Sequence, residues 1–259
     1  MHSEIYKIPP YIYRNTWDWC APDDKERFEE HANKYPDDPT VKYYLENPIT
    51  YKFNKQGFRT PDDLESGGEG NVFLGCSHTM GVGHHLKDVW SYQVNQAVGD
   101  KFWNLGIGGT GCMTHYRLLL GWYKHLNIKN IFHYLPYYPR YEFLINDKPE
   151  AMPVGAHLVS TWPGYFGNFF HECLIQDSQI NLIHQSMIHA IRGLSEEIGC
   201  NYYIISEYGT ITHLKTPNDE ISIGARDFMH YTLAFQKGIA EEMIEMWKGG
   251  KKYQRNIRE

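Results

Sequence analysis

From residue 71 onward, short apolar runs alternate with amphipathic stretches, and this alternation limits what the chain can fold into. Asn71–Gly75, Lys101–Leu105, Asn130–Leu135 and Asn201–Ser206 read as strands, the third stopped by Pro136. Val82–Val98, Thr110–Leu126, Asp177–Ile198 and Tyr231–Trp247 read as helices. The first of these would bury Leu86, Val89, Trp90, Val94 and Ala97 on one face, and Asp177–Ile198 would bury Ile180, Ile183, Met187, Ile188 and Ile191. That spacing is the helical period. Short apolar strands alternating with amphipathic helices imply a parallel sheet covered on both faces. Sites in such sheets lie beyond the carboxyl ends of the strands. Ser77, the Gly106–Gly111 cluster, Pro136–Tyr141 and the loop leading to Asp227 all fall at that edge.

Residues 1–68 precede the pattern and read as an N-terminal extension packing on the core. They are polar and aromatic without sustained period, with one short helix expected over Lys25–Lys34 behind Asp23-Asp24. Asn47–Gly57 reads as extended and turning, and Ser66-Gly67-Gly68-Glu69-Gly70 is a breaker before the first core strand. Residues 69–250 form the α/β domain, and 251–259 a basic tail. Residues 139–176 interrupt the domain as an insertion containing Tyr141, Phe143, Trp162, Tyr165, Phe166, Phe169 and Phe170. Those rings and Arg140 suit a lid or substrate wall against a sugar ring or acyl chain. They equally suit a satellite core or an oligomer contact. The oligomeric state is open.

A hydrophobic content of 42% over 259 residues is enough for a sizeable core. The net charge of -6, with no basic block outside the C-terminal tail, argues against a nucleic-acid partner. No stretch is long and apolar enough to span a bilayer. The first ten residues lack the apolar run of a signal peptide, and the 5 cysteines are odd in number and far apart. Reduced thiols in a cytoplasm are therefore expected. There is no CxxC or HExxH, and His84-His85 and His184/His189 lack matching ligands nearby, so no metal is expected.

Two segments carry chemistry. Phe73-Leu74-Gly75-Cys76-Ser77-His78-Thr79-Met80-Gly81 reads as a strand entering a glycine-bounded turn that opens a helix. Asp227-Phe228-Met229-His230 places an acid and a base three residues apart before the last helix. Together they supply a serine nucleophile, a general base and an orienting carboxylate. Taken singly, Ser77 and Asp227 also read as helix caps, and His230 as a surface or first-turn histidine. Cys76 is an alternative nucleophile, but on an extended chain it points away from Ser77.

These residues resemble the SGNH (GDSL-type) serine hydrolase family over about residues 50–245. Gly75-Cys76-Ser77-His78-Thr79-Met80-Gly81 is similar to its Gly-Asp-Ser-x-Thr-x-Gly block. Asn104-Leu105-Gly106-Ile107-Gly108-Gly109-Thr110 is similar to its Asn-x-Gly-x-x-Gly turn, and Asp227-Phe228-Met229-His230 to its Asp-x-x-His block. Asn54-Lys55-Gln56-Gly57-Phe58-Arg59 resembles a lead-in of some members, and the N-terminal style resembles phage and environmental-microbe variants. A viral source would add virion association to the cytoplasmic expectation. The resemblance implies a flavodoxin-like three-layer α/β/α sandwich with a parallel sheet.

It further implies an esterase or acylhydrolase without cofactor, acting on a small ester or acylated carbohydrate. Ser77, His230 and Asp227 would be nucleophile, base and orienting acid, with the Ser77 and Gly109 backbone N–H groups forming the oxyanion hole, helped by the helix start after Ser77. Two departures stand out. Cys76 replaces the acid of the first block. The third block lacks its asparagine, since the strand ends Tyr134-Leu135-Pro136-Tyr137-Tyr138-Pro139-Arg140. The oxyanion hole is then one donor short, or filled by Arg140; one donor is worth about 10²–10³ in rate. Two other readings stay open. One is a non-catalytic binding or structural, virion-associated protein on a hydrolase scaffold. The other is a nucleotide-dependent enzyme using Gly106-Ile107-Gly108-Gly109-Thr110-Gly111 as a dinucleotide loop, although no acid follows at the end of the next strand.

Overall fold

A computed structural model describes residues 3–10, 15–136, 140–145, 148–153, 164–174, 176–206 and 223–250. Of the expectations above, Tyr137-Tyr138-Pro139, Trp162 and the basic tail 251–259 lie outside the described residues. The elements run α1 (Ser3–Lys7), β1 (Thr16–Trp17), α2 (Lys25–Lys34), α3 (Pro39–Glu46), β2 (Tyr51–Lys52), β3 (Glu69–Leu74) and α4 (Ser77–Met80). They continue as α5 (Trp90–Val98), β4 (Lys101–Asn104), α6 (Cys112–Trp122), β5 (Asn127–Leu135), β6 (Arg140–Ile145) and β7 (Lys148–Pro153). The chain then forms α7 (Gly164–Phe169), α8 (Asp177–Ile198), β8 (Asn201–Ser206) and α9 (Leu233–Lys248).

The central sheet has 4 parallel strands in the order β4-β3-β5-β8. Its strands point side chains alternately to two apolar layers, as the two-residue period requires. Val72, Leu74, Trp103, Ile131, Leu135, Tyr202 and Ile204 face α6 and α8, against Leu118, Leu119, Trp122, Ile188, Ile191 and Leu194. Phe73, Phe102, Phe132, Tyr134, Tyr203 and Ile205 face α5 and α9, against Trp90, Val94, Phe235, Ile239 and Met243. The arrangement is an α/β fold with helices on both faces of a parallel sheet. Phe73, Phe132 and Tyr203 stack across three strands at centroid spacings of 5.2 and 5.1 Å. At the amino end, Asn130 donates to Asn71 (2.8 Å) and Asn201 to Asn130 (3.0 Å). These amides sit in register on adjacent strands. A one-residue slip would break the ladder and turn each strand's two faces over.

Connectivity places the functional edge. The chain passes from β3 to β4 on one side, then returns across β3 to β5 and goes on to β8. The connections leave in opposite directions at β3 and β5, and in such sheets ligands bind at the carboxyl ends of the strands there. Ser77 lies just beyond β3.

Helix ends follow local chemistry. Asp24 caps α2 through Arg27 N (2.8 Å), Asp38 caps α3 through Thr40 N (2.7 Å), and Thr232 caps α9 through Phe235 N (3.3 Å). Asp177–Ile198 is helical over the expected span, ending at Gly199 with φ 79°.

The helix expected over Val82–Val98 is corrected. α4 stops after four residues, Gly81 and Gly83 take positive φ, and α5 starts only at Trp90. Val82 is instead buried against Cys20, Tyr44 and Tyr51 of the N-terminal segment. Ala97, expected on the buried face, is exposed. Thr110–Leu126 shortens to Cys112–Trp122, and Tyr231–Trp247 begins at Leu233. The insertion contains an antiparallel hairpin, β6-β7, that the sequence pattern does not announce. Among the described residues no helix is long and apolar enough to cross a membrane.

Candidate active site

Three loops meet beyond β3. The first is the turn Gly75–Gly83 containing Ser77, which is 4% exposed and opens α4. Cys76 occupies the N-cap position, so Ser77 does not cap the helix. Cys76 itself is fully buried among Phe73, Trp90 and Tyr134, which removes it as a nucleophile.

The second loop, residues 105–111, is bonded to the first. Leu105 N donates to Phe73 O (2.9 Å) and Ile107 N to Gly75 O (3.1 Å). Asn104 Nδ2 donates to Thr79 O (2.9 Å), and its Oδ1 accepts from Gly106 N (2.9 Å). A Cβ at Gly106 would sit 2.8 Å from the Thr79 side chain, so the close approach of the two loops requires glycine. A Cβ on Gly108 would lie 3.9 Å from that of Ser77, and Gly109 next to it has φ 75°. Gly106 therefore has a packing reason independent of a nucleotide, and the strand before the cluster, β4, is an edge strand rather than the one at the switch point.

The third loop carries Asp227 and His230. Asp227 Oδ2 lies 2.5 Å from His230 Nδ1, while Oδ1 accepts from the N–H groups of Met229 and His230 at 3.1 Å each. Asp227 thus closes its own turn and orients His230; the cap of α9 is Thr232 instead. Burial alone would raise the Asp227 carboxyl pKa. The hydrogen bond and charge of His230, with the two backbone donors, outweigh it and hold the pKa below the usual value. Asp227 is 1% exposed and the His230 side chain 12%. With Nδ1–H directed at Asp227, the base nitrogen of a neutral ring is Nε2.

This third loop is seated on the first. Arg226 N donates to Gly83 O (2.9 Å), and His84 Nε2 bonds Tyr231 O (2.9 Å). A Cβ on Gly83, at φ +75°, would meet Ala225 Cβ at 2.8 Å and Asp227 Oδ1 at 3.2 Å. His78, next to Ser77, packs edge-on to His230 (centroids 5.1 Å) and stacks on Tyr231 (4.8 Å). Burial, then the charges of His230, Arg140 and His84, push the His78 pKa well below its ordinary value. His78 is therefore neutral at physiological pH. The structure brings Asp227 to His230, and His230 to the residue after Ser77; no hydrogen bond joins Ser77 to His230 among the described residues. Base and nucleophile often tighten only on substrate binding.

Arg140 begins β6 and donates through Nη1 to Thr110 O (3.3 Å), and its backbone lies against Gly111. It flanks the second loop at the edge of the site. Tyr141 and Glu142 after it are anchored by Leu174 O and Arg117. This fixes the base of the insertion as a wall. Among the described residues no cluster of three or more His, Cys, Asp or Glu could hold a metal.

No family model and no curated protein matches the chain.

His84 and Arg226 seat the third loop on the first; the sequence considers His84 only as a metal ligand and does not single out Arg226. Arg226 directly precedes Asp227, and that position is its one local signal. Tyr51 carries no signal in the sequence, and Asp23 reads there only as a residue before the Lys25–Lys34 helix; the fold brings them to Gly83 and Arg226.

Proposed function

We propose that the protein is a serine ester hydrolase of the SGNH type, acting through an acyl-Ser77 intermediate. The observation that carries this reading is the buried Asp227–His230 pair, at 2.5 Å, on a loop bonded directly to the turn that presents Ser77. A buried carboxylate that orients an imidazole beside a serine at the carboxyl edge of a parallel sheet is the arrangement acyl transfer needs. The strand order β4-β3-β5-β8, with Ser77 directly after β3, fits the flavodoxin-like sandwich of that family.

In this reading Ser77 Oγ attacks the ester carbonyl while His230 Nε2 takes its proton. Asp227 holds the ring and stabilises the imidazolium. The tetrahedral intermediate collapses, the C–O bond to the leaving alcohol breaks, and His230 returns the proton to that oxygen. Water then adds to acyl-Ser77 with His230 again as base, releasing the acid. The Ser77 and Gly109 N–H groups serve the oxyanion, and Arg140, beside the second loop, is the candidate for the donor that the missing third-block asparagine would supply. A small acyl group on a carbohydrate or similar alcohol is the proposed substrate, following the family resemblance; the exposed Tyr231 offers a ring to a sugar or an acyl chain alike.

The test is intact-protein mass after exposure to a fluorophosphonate, for wild type and Ser77→Ala in parallel. One adduct on wild type, absent from the variant, is expected. A folded wild type that takes no adduct overturns the reading and leaves a binding or structural protein on a hydrolase scaffold.

A further inference from the structure

The N-terminal segment enters the site through a closed ring of buried polar contacts. Tyr51 Oη donates to Asp23 Oδ2 (2.5 Å) and accepts from Gly83 N (2.8 Å). Asp23 accepts from Arg226 Nε at 3.1 and 3.0 Å and from Nη2 at 2.6 Å. Arg226 N closes the ring on Gly83 O (2.9 Å). Both backbone groups of Gly83 are therefore committed, one to each side of the ring. Tyr51 and Asp23 are 0% exposed and Arg226 2%. The guanidinium of Arg226 also lies over the Trp19 ring at 3.7 Å and donates to Asp18 O (2.5 Å). A second guanidinium, Arg59, lies over the Tyr51 ring at 4.3 Å and donates to the carbonyls of Met80 (3.2 Å), Gly81 (2.5 Å) and His84 (2.8 Å).

The ring joins two points that the chain places far apart. Gly83 comes after the turn of Ser77, and Arg226 precedes Asp227. The buried ring of Tyr51, Asp23, Arg226 and Gly83 has little freedom to shift, because each displaced group would be left without a partner. The spacing between the serine's turn and the acid–base turn is thus set from residues 23 and 51, outside both.

We propose that Tyr51 and Asp23 are positioning residues, which register the Asp227–His230 turn against the Ser77 turn and so set the reach of the base to the nucleophile. This rests on the hydrolase reading above. It makes residues 15–60 part of the working site rather than a cover over the core.

A displacement of about 1 Å in such a site costs up to about a hundredfold in rate. The probes are p-nitrophenyl acetate turnover and the rate of fluorophosphonate labelling, on the full chain. Tyr51→Phe removes one hydroxyl and keeps the ring under Arg59. A folded Tyr51→Phe is expected to lose about ten- to a hundredfold in kcat and in labelling rate, with KM within about twofold. Asp23→Asn is expected to lose at least as much. A purely structural role would lower the melting temperature and leave kcat unchanged. A Tyr51→Phe protein that folds and labels at the wild-type rate overturns the proposal, and so does one that fails to fold, since Tyr51 would then serve stability alone. A wild type that neither labels nor turns over ester sinks the hydrolase reading itself, and the proposal with it.

Discussion

Two buried arginine–carboxylate pairs hold this molecule together, and they do different things. Arg226–Asp23 has its closest contact at 2.6 Å and side chains 3% and 0% exposed. Arg117–Glu142 is nearly as buried, at 8% and 4%, and is likewise bidentate. Arg117 also donates to the carbonyls of Ile5, Tyr6 and Ile8, at 3.1, 2.8 and 2.9 Å. It fastens α1 and the β6-β7 hairpin to α6. Arg226 fastens one loop to another, and the next residue is Asp227. The desolvation cost of a buried pair can exceed its Coulomb attraction, so burial by itself does not say what either pair is for. The chemistry of the two pairs is shared. Their consequences differ because Arg226 is joined directly to Asp227, whereas Arg117 sits within a helix that carries none of the acid–base residues.

The largest expected effect lies at the residue that the first pair delivers. Asp227→Asn keeps an oxygen for the N–H groups of Met229 and His230, so the turn should persist. It loses the negative charge that fixes the His230 tautomer. A fall in kcat of about 10⁴ is expected, as for the orienting acid of a triad. Steady-state turnover of p-nitrophenyl acetate, with circular dichroism to verify the fold, measures it. A loss of only a few-fold would mean that Asp227 merely closes a turn, and the contrast between the two pairs would collapse.

The control for that contrast is Glu142→Gln. Breaking one partner of a buried pair leaves an uncompensated charge and costs about 3–5 kcal/mol. Urea unfolding should register that loss. Turnover of the folded fraction should fall less than in Asp23→Asn, because Arg117 touches neither Ser77 nor the 226–230 loop and the pair reaches the site only through β6 and Arg140. If Glu142→Gln instead cuts kcat as deeply as Asp23→Asn, hairpin position and loop position are coupled, and the two regions are one unit.

Legibility in the sequence tracks the range of the contacts involved. The helix over Asp177–Ile198 was readable because its stripe packs on the sheet and Gly199 ends it locally. The strands were readable because each is apolar on two faces. The apolar spacing over Val82–Val98 does not make one helix, because its residues serve two cores. Val82 packs with Cys20 and Tyr51, while Val89 and Trp90 pack on the sheet. A period cannot register such a division. Ser77, Asp227, His230 and the glycine loop were visible as motifs, and the structure does bring Asp227 to His230. Asp23 and Arg226 are 203 residues apart in sequence and join only through tertiary structure. No local pattern could pair them.

The smallest expected effect compares two buried histidines, one in the loop after Ser77 and one on β5. His84 bonds the carbonyl of Tyr231, and burial depresses its pKa to about 4. His133 bonds His115 and Tyr202, and burial depresses its pKa to about 3. In the unfolded chain each would titrate near about 6.5. The unfolded state therefore takes up protons first as the pH falls. Stability from each histidine is complete above about pH 6.5, declines below it, and levels off beneath the folded value. Asp227 acts in a lower window: its depressed carboxyl pKa adds stability above about pH 4 that is lost as the pH falls further. His78, His115 and His184 share the histidine direction. Between pH 7 and pH 5 each of His84 and His133 should contribute roughly 2 kcal/mol to the loss of unfolding free energy, at about 1.4 kcal/mol per pH unit. His84→Gln and His133→Gln should each remove that share, read from urea unfolding at the two pH values. Only His84→Gln should also lower kcat at pH 7, by about tenfold, because it frees the carbonyl of the residue after His230. His133 lies in the layer facing α6 and α8, with no bond to the 226–231 loop. If His133→Gln lowers kcat equally, the site is held by the whole sheet rather than by the contacts around Gly83.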